Sequence, residues 1–363
     1  MKLSDYVAQG RDNNFNLIRL VAALSVLVTH SFAIATGNQL AEPLRDSLGL
    51  TMGDIAVDVF FTTSGFLVTA SLLVRQSFIE FVWARALRIY PALWVMLLLT
   101  VFGLGVFFTT KPLSVYFATP QTYVYVAKCA VLFFGLAYNL PGVFEANIYP
   151  GAVNGSLWSM ASEVRLYAIL VLGWLALRLV REHRITLFKA MVVGFAGMAG
   201  LAVLILHLRQ DDAGQFPRLF YMFFAGSAFY VLRHRITVSP WLVLALSLAL
   251  IATIGNTFGF VLAYLLSIQY LLFYLAYVPA GFIRHYNKLG DYSYGIYIYA
   301  FPVQQSISAL MPGISILKMT AIAMPLTILL AVLSWHLLEK HALSYKDHYV
   351  GHTKNLRDKL TLR

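Results

Sequence analysis

The stretch NLIRLVAALSVLVTHSFAIATG, from Asn16 to Gly37, decides the class of this molecule. It is apolar and long enough to cross a bilayer as one helix, for which about 20 residues suffice. Yet it contains Arg19 and His30. They are eleven residues apart, which at 100° per residue is about three whole turns. Both therefore lie on one helix face, about 16 Å apart along the axis. Ionisable groups inside a span are costly, and they face the bundle interior or a water-filled cavity. Taken alone, Arg19 also reads as a snorkelling anchor and His30 as an interhelical hydrogen-bonding group.

The rest of the chain agrees with a membrane setting. Of its 363 residues 60% are hydrophobic and 12% charged, where a soluble domain carries about 25% charged residues; the mean hydropathy is +0.72. An all-α integral membrane protein is expected, with residues 1–363 forming a single transmembrane domain, since no polar segment is long enough to fold alone. A net charge of +11 in a soluble protein would suggest nucleic acid. Here it reads as cytoplasmic Lys and Arg, so no nucleic-acid partner is expected. Cys129 is the only cysteine, which excludes an intrachain disulfide. The polar start MKLSDYVAQGRDNN lacks a small-residue cleavage site and does not read as a cleaved signal peptide.

Apolar runs fall near 16–37, 55–74, 89–108, 121–139, 156–178, 188–207, 218–232, 241–256, 258–280, 291–310 and 318–338. Eleven crossings would put the termini on opposite sides. The charges favour an even number. If the basic connections and both termini are cytoplasmic, 20 of the 27 Lys and Arg lie inside, leaving Arg45, Lys111, Lys128, Arg165, Arg209, Arg218 and Lys318. The run to demote is 121–139, which contains Lys128 and leads through YNLPG to the Gly- and Pro-containing IYPGAVNG. It is expected as a re-entrant or interfacial helix of an outer region 109–155, leaving about ten transmembrane helices. No internal repeat of the transporter kind is evident.

Other charges sit where a membrane disfavours them. In FVWARALRIYPALW, Arg85 and Arg88 are three residues apart and share a face at the cytoplasmic boundary, level with Arg19. Three guanidinium forks meeting there would clamp phosphate; ordinary inside-positive anchoring would also explain the pair. Asp54 and Asp58 share a face near the outer end of their span, and Asp58, the deeper, needs a partner. Glu163 lies about two turns inside the next motif-bearing span, with Tyr167 one turn further on its face. Structural ion pairs would account for each acid singly. Together, cations at the inner face with a histidine and two acids deeper suggest group transfer across the bilayer, because a histidine beside a carboxylate is a general base near neutral pH.

These segments resemble the acyltransferase 3 family of integral membrane acyltransferases. The resemblance rests on Arg19 and His30 at the family's Arg-x10-His spacing; on VDVFFTTSGFLV, with Asp58, Phe60, Phe61, Ser64, Gly65 and Phe66; and on Arg85, Arg88 and Pro91. It continues through SLWSMASEVRLY, with Ser156, Trp158, Ser159, Glu163 and Tyr167, to LGDYSYGIYIYAFP, with Ser293, Tyr294, Tyr297 and Pro302. The five motifs occur in order over most of the chain. The resemblance implies an acyl-CoA donor, usually acetyl-CoA, presented from the cytoplasm. It implies a glycan or lipid-linked glycan acceptor, His30 as the essential residue, and the bacterial inner membrane with its lipids as the setting. Departures are Ala300 where a histidine is usual, Glu339, Lys340 and His341 where Glu-Arg-Pro is common, Asn16 where an acid is frequent, and Arg165 for an uncharged residue.

On this reading Arg19, Arg85 and Arg88 bind the donor's phosphates. His30 removes a proton from the acceptor hydroxyl, and Asp58 or Glu163 orients the imidazole. Ser156, Trp158 and Tyr167 line the substrate region. Direct transfer is favoured over an acyl-histidine intermediate. No metal cluster is expected from the histidine spacing. A proton-coupled permease would suit the same acids and histidine but has no evident need for a fixed phosphate site. A non-catalytic scaffold would leave glycan acylation indifferent to His30.

Overall fold

The computed structural model describes residues 1–10, 12–180, 182–210 and 214–361. Arg11, Arg181 and Arg363, counted above among the inner cations, lie outside them. Among the described residues the regular structure is helical, with isolated β-bridges and no strand. The principal helices are α1 (Phe15–Thr36), α2 (Met52–Arg75), α3 (Phe78–Leu98, running on through π-helical turns to Phe108), α4 (Pro120–Val131), α5 (Leu157–Ala176), α6 (Arg184–Arg209), α7 (Phe216–Val231), α8 (Pro240–Ala252), α9 (Thr257–Tyr277), α10 (Ser293–Leu310), α11 (Ile316–Ser334) and α12 (Lys346–Thr361).

Among the described residues seven helices are long and apolar enough to cross a membrane: α1, α2, α3, α5, α6, α9 and the long run that begins with α11. Ten spans were expected, and the other three fall short for identifiable reasons. Helices α7 and α8 have 16 and 13 residues, about 24 and 20 Å at 1.5 Å per residue, against a hydrocarbon core of about 30 Å. Helix α10 has 18 residues, but Ser, Tyr and Gln lower its apolarity, and nearly all of it is buried in protein. The 121–139 run forms the 12-residue α4, about 18 Å long, followed by irregular backbone to residue 156.

The chain forms two compact units. One comprises Met1–Thr29, Leu40–Leu73 and Arg165–Asp291; the other comprises His30–Gln39, Val74–Val164 and Tyr292–Arg363. In the first, α2 and α7 touch backbone to backbone. A Cβ on Gly65 would stand 1.9 Å from the Phe223 carbonyl oxygen, and one on Gly226 would stand 2.0 Å from that of Thr62. Small residues allow such approaches between membrane helices. Ser227 Oγ donates across the crossing to Gly65 O at 3.0 Å. Beside it Phe66, Phe15, Phe273, Tyr230 and Tyr277 form an aromatic core, with the Phe66 and Phe273 centroids 4.4 Å apart. In the second unit α10 is central and α3, α11 and the loop before α5 pack on it.

The glycine crossing is testable. Gly65→Ala and Gly226→Ala should each cost about 1–3 kcal/mol or more, read as a lower thermal midpoint or loss of folded protein from detergent. Gly194→Ala and Gly197→Ala, whose Cβ would meet nothing within 4 Å, should be neutral or mildly stabilising. Equal effects at all four positions would refute a special role for the crossing.

Candidate functional site

In the first unit the charged residues of α2 are built into a pairing network. Thr51 starts the helix as a capping box: its hydroxyl accepts from Asp54 N at 2.9 Å and Asp54 Oδ2 accepts from Thr51 N at 2.9 Å. The other Asp54 oxygen takes Arg218 Nη2 of α7 at 2.8 Å. Arg218 Nε lies 3.4 Å from Asp58 Oδ1, and Tyr264 of α9 donates to Asp58 Oδ2 at 3.0 Å. Asp58 is completely buried. This network joins three helices, and it supplies the partner that Asp58 requires. Sequence reasoning had set Arg218 aside as one of the outer cations and had not singled out Tyr264.

The motif around Ser64 divides its labour within the same unit. Ser64 Oγ and Tyr167 OH are 2.6 Å apart, Gly65 makes the helix crossing and Phe66 fills the aromatic core. Tyr167, expected to line the substrate region, is thus tied to α2. Arg19 pairs with Asp291 at 2.8 Å and stands 5.8 Å over the Phe60 ring. Asp291 was quoted in the late motif without being assigned a role.

The second unit holds His30, Arg85, Arg88, Ser156, Trp158 and Glu163, and α10 orders most of them. Tyr294, Tyr297, Phe301 and Gln304 recur at helical spacing on one face. Tyr294 OH donates to Ile89 O at 2.6 Å, and Arg88 lies 5.5 Å from the Tyr294 ring centroid. Arg88 also pairs with Glu339 at 3.1 Å, and Ser334 Oγ donates to the other Glu339 oxygen at 2.9 Å. The Glu339 pairing was not foreseen; a deep arginine signals that an acid must exist, but not which. One turn on from Tyr294, Tyr297 hydrogen-bonds Ser159, and Glu163 is a charged neighbour of both tyrosines.

A further turn along α10, the Phe301 ring meets His30 edge to face with centroids 5.2 Å apart. Phe301 also stands where a Gly155 side chain would be, 2.6 Å from its Cβ position. Gln304 Nε2 donates to Ser31 Oγ at 2.8 Å, fastening the end of α1 to α10. Gln305 holds the preceding loop, donating to Tyr149 O at 2.9 Å and Ala152 O at 2.7 Å and accepting from Asn147 Nδ2 at 2.8 Å. The level of Arg88 and the level of His30 are thus seven α10 residues apart, about 10 Å.

His30 Nδ1 and Ser156 Oγ are both sealed from solvent with no hydrogen-bond partner among the described residues. The sequence left Asp58 and Glu163 as alternatives for orienting the imidazole; neither holds Nδ1. Trp158 is half-buried, and its carbonyl accepts from Ser162 Oγ at 3.2 Å. The three arginines expected in one clamp are divided between the units, Arg19 in the first and Arg85 and Arg88 in the second. Among the described residues no group of His, Cys, Asp and Glu is placed to hold a metal ion.

Comparison with known proteins gives a family model, described as an acyltransferase domain, matching residues 12–338. The chain is 28% identical to a protein named O-acetyl transferase from Shigella phage Sf6, over 353 residues covering 92% of this chain and 97% of the relative. It is 28% identical to nodulation protein 10 of Rhizobium leguminosarum bv. viciae, over 376 residues covering 95% and 96%. No solved structure matches the chain.

The ion network of the first unit predicts a graded series. Arg218→Met leaves two carboxylates without their cation and should cost about 3–5 kcal/mol. Tyr264→Phe should cost about 1 kcal/mol. The triple substitution of Arg218→Met with Asp54→Asn and Asp58→Asn should recover much of the loss. Thermal unfolding in detergent reads all three, and an Arg218→Met protein as stable as the wild type would overturn the assignment.

Proposed function

The chain belongs to the acyltransferase family that it matches from residue 12 to residue 338, and from that we propose that it moves an acyl group, acetyl in the first instance, from cytoplasmic acyl-CoA to a hydroxyl of a surface polysaccharide or lipid-linked glycan. The observation that carries the chemistry is His30 Nδ1, buried without a protein partner on a membrane-crossing helix. A buried polar atom left unsatisfied calls for an explanation, and a substrate group at that nitrogen supplies one.

In the proposed reaction the imidazole takes the proton of the acceptor hydroxyl as its oxygen attacks the thioester carbonyl carbon. The tetrahedral intermediate collapses with cleavage of the C–S bond, and the imidazolium returns the proton to the departing thiolate. His30 ends neutral, and CoA leaves as the thiol. Glu163, which belongs to the same unit and neighbours Tyr297 one turn from Phe301, steadies the imidazolium by its charge. Asp58 is assigned to holding α2, α7 and α9 together, since Arg218 and Tyr264 already engage it. Ser156, with its buried hydroxyl, and Trp158 line the acceptor's approach, and Tyr167 positions α2 through Ser64. Arg85 and Arg88 hold the donor's phosphates. Arg88 is held in place by its pair with Glu339. Arg19 is proposed for the donor's phosphates as well, on its motif spacing to His30 alone.

The matched region behaves as one functional domain in this reading. The seven long spans, with α7, α8 and α10 as shorter membrane-embedded helices, give ten crossings of a bacterial inner membrane with both termini cytoplasmic and α4 as the re-entrant or interfacial helix; the support is the distribution of Lys and Arg.

His30→Ala should lower transfer by about 10²- to 10⁴-fold while CoA binding is retained, measured as thiol release by purified protein and by mass spectrometry of cell-surface glycans. Transfer at the wild-type rate in this variant would end the proposal. Incubation with labelled acetyl-CoA and no acceptor should leave no label on the protein; label that disappears in His30→Ala would replace direct transfer with an acyl-histidine relay.

A further inference from the structure

An imidazole that takes a proton is ordinarily oriented by a hydrogen bond from its second nitrogen to a carboxylate or a carbonyl. His30 Nδ1 has no such partner among the described residues. Its ring instead meets the buried Phe301 ring, at 79° and with centroids 5.2 Å apart. The Phe301 ring has little room to move. A Cβ on Gly155 would stand 2.6 Å from its Cε2 and 2.7 Å from its Cζ, and the Tyr149 ring meets it at 74° with centroids 6.2 Å apart. Gly155 is not among the residues of positive φ. The ring, and not the backbone, is therefore what keeps a side chain out of position 155.

The loop is pinned at this level by the proline that follows Phe301. Pro302 lies inside α10 and has no N–H, so the Ile298 carbonyl one turn earlier loses its helical donor. Asn154 Nδ2 donates to that carbonyl at 2.9 Å, and Asn154 Oδ1 accepts from Ser156 N at 3.1 Å. The pair Phe301-Pro302 thus supplies both the ring and the acceptor that draws Asn154 and Gly155 against it.

We propose that Phe301 is the positioning residue for His30, with Gly155 setting where its ring stands. Packing then holds the imidazole where a hydrogen bond would ordinarily do so. The assignment rests on the reading of His30 as the base and deepens it. A side chain at position 155 would push the ring, and the ring would push the imidazole. A misplacement of about 1 Å at a reacting group can cost about a hundredfold in rate.

The test is thiol release from acetyl-CoA by the full-length protein in membrane vesicles from cells that make its acceptor, with kcat and KM measured separately. Gly155→Ala should lower kcat about ten- to a hundredfold and leave the KM for acetyl-CoA unchanged. Phe301→Leu, which lacks the Cε2 and Cζ atoms, should lower kcat by a similar factor, and adding Gly155→Ala to it should cost nothing further. Phe301→Met takes its place should the leucine variant fold poorly. Losses that multiply in the double variant would make the two positions independent and overturn the coupling. So would transfer at the wild-type rate in Phe301→Leu, or a loss carried by KM with kcat unchanged. Wild-type protein that releases no thiol from acetyl-CoA would remove the transferase reading itself.

Discussion

A charge inside a low-dielectric interior must be met by another charge or by several dipoles, and most of this structure follows from that requirement. Arg218 meets Asp54 and Asp58, Arg88 meets Glu339, and Arg19 meets Asp291. Each pair fastens segments distant in sequence, so the residues that are most expensive to bury also specify which helices lie together. Removing one member leaves the other uncompensated, which costs far more than the pair contributes when intact. His30 stands apart from this pattern: its Nδ1 is buried and unanswered.

Helix α10 turns the pairing requirement into an ordered path. Its tyrosines receive Arg88, Ser159 and the neighbourhood of Glu163; its Phe301 receives His30; its glutamines receive Ser31 and the loop 147–152. The same polar side chains that make α10 a poor membrane span by composition make it the axis of its unit. Ala300 is buried on this helix, and the helix keeps its register without an ionisable group at that position.

Much of this was legible from the residues. The membrane class and the long spans came from hydropathy, and the cost of charges in lipid drew attention to His30 and the arginines. The family resemblance likewise rested on residues in order along the chain. What could not be read was pairing. Arg218 looked like an outer cation because the partner that draws it inward lies 160 residues away in α2. Glu339 and Asp291 sat in quoted motifs without roles because nothing in their local sequence names Arg88 or Arg19. Ten crossings need α7, α8 and α10 beside the seven long spans, and hydropathy did not reveal that α7 and α8 are short and that α10 spends its side chains on polar contacts. Helical spacing placed Arg19 and His30 on one face of α1, but the division into compact units falls between Thr29 and His30.

The turns from Trp335 to Glu339 are π-helical, so each holds about one residue more than an α-turn. The wide turn absorbs that surplus. Removing one residue here would restore ordinary winding and leave the direction of the following chain nearly unchanged, whereas the same loss inside the regular turns of α11 would rotate everything beyond it by about 100°. The segment is therefore a place where chain length can change by one while Tyr349 keeps its stacking on Trp83.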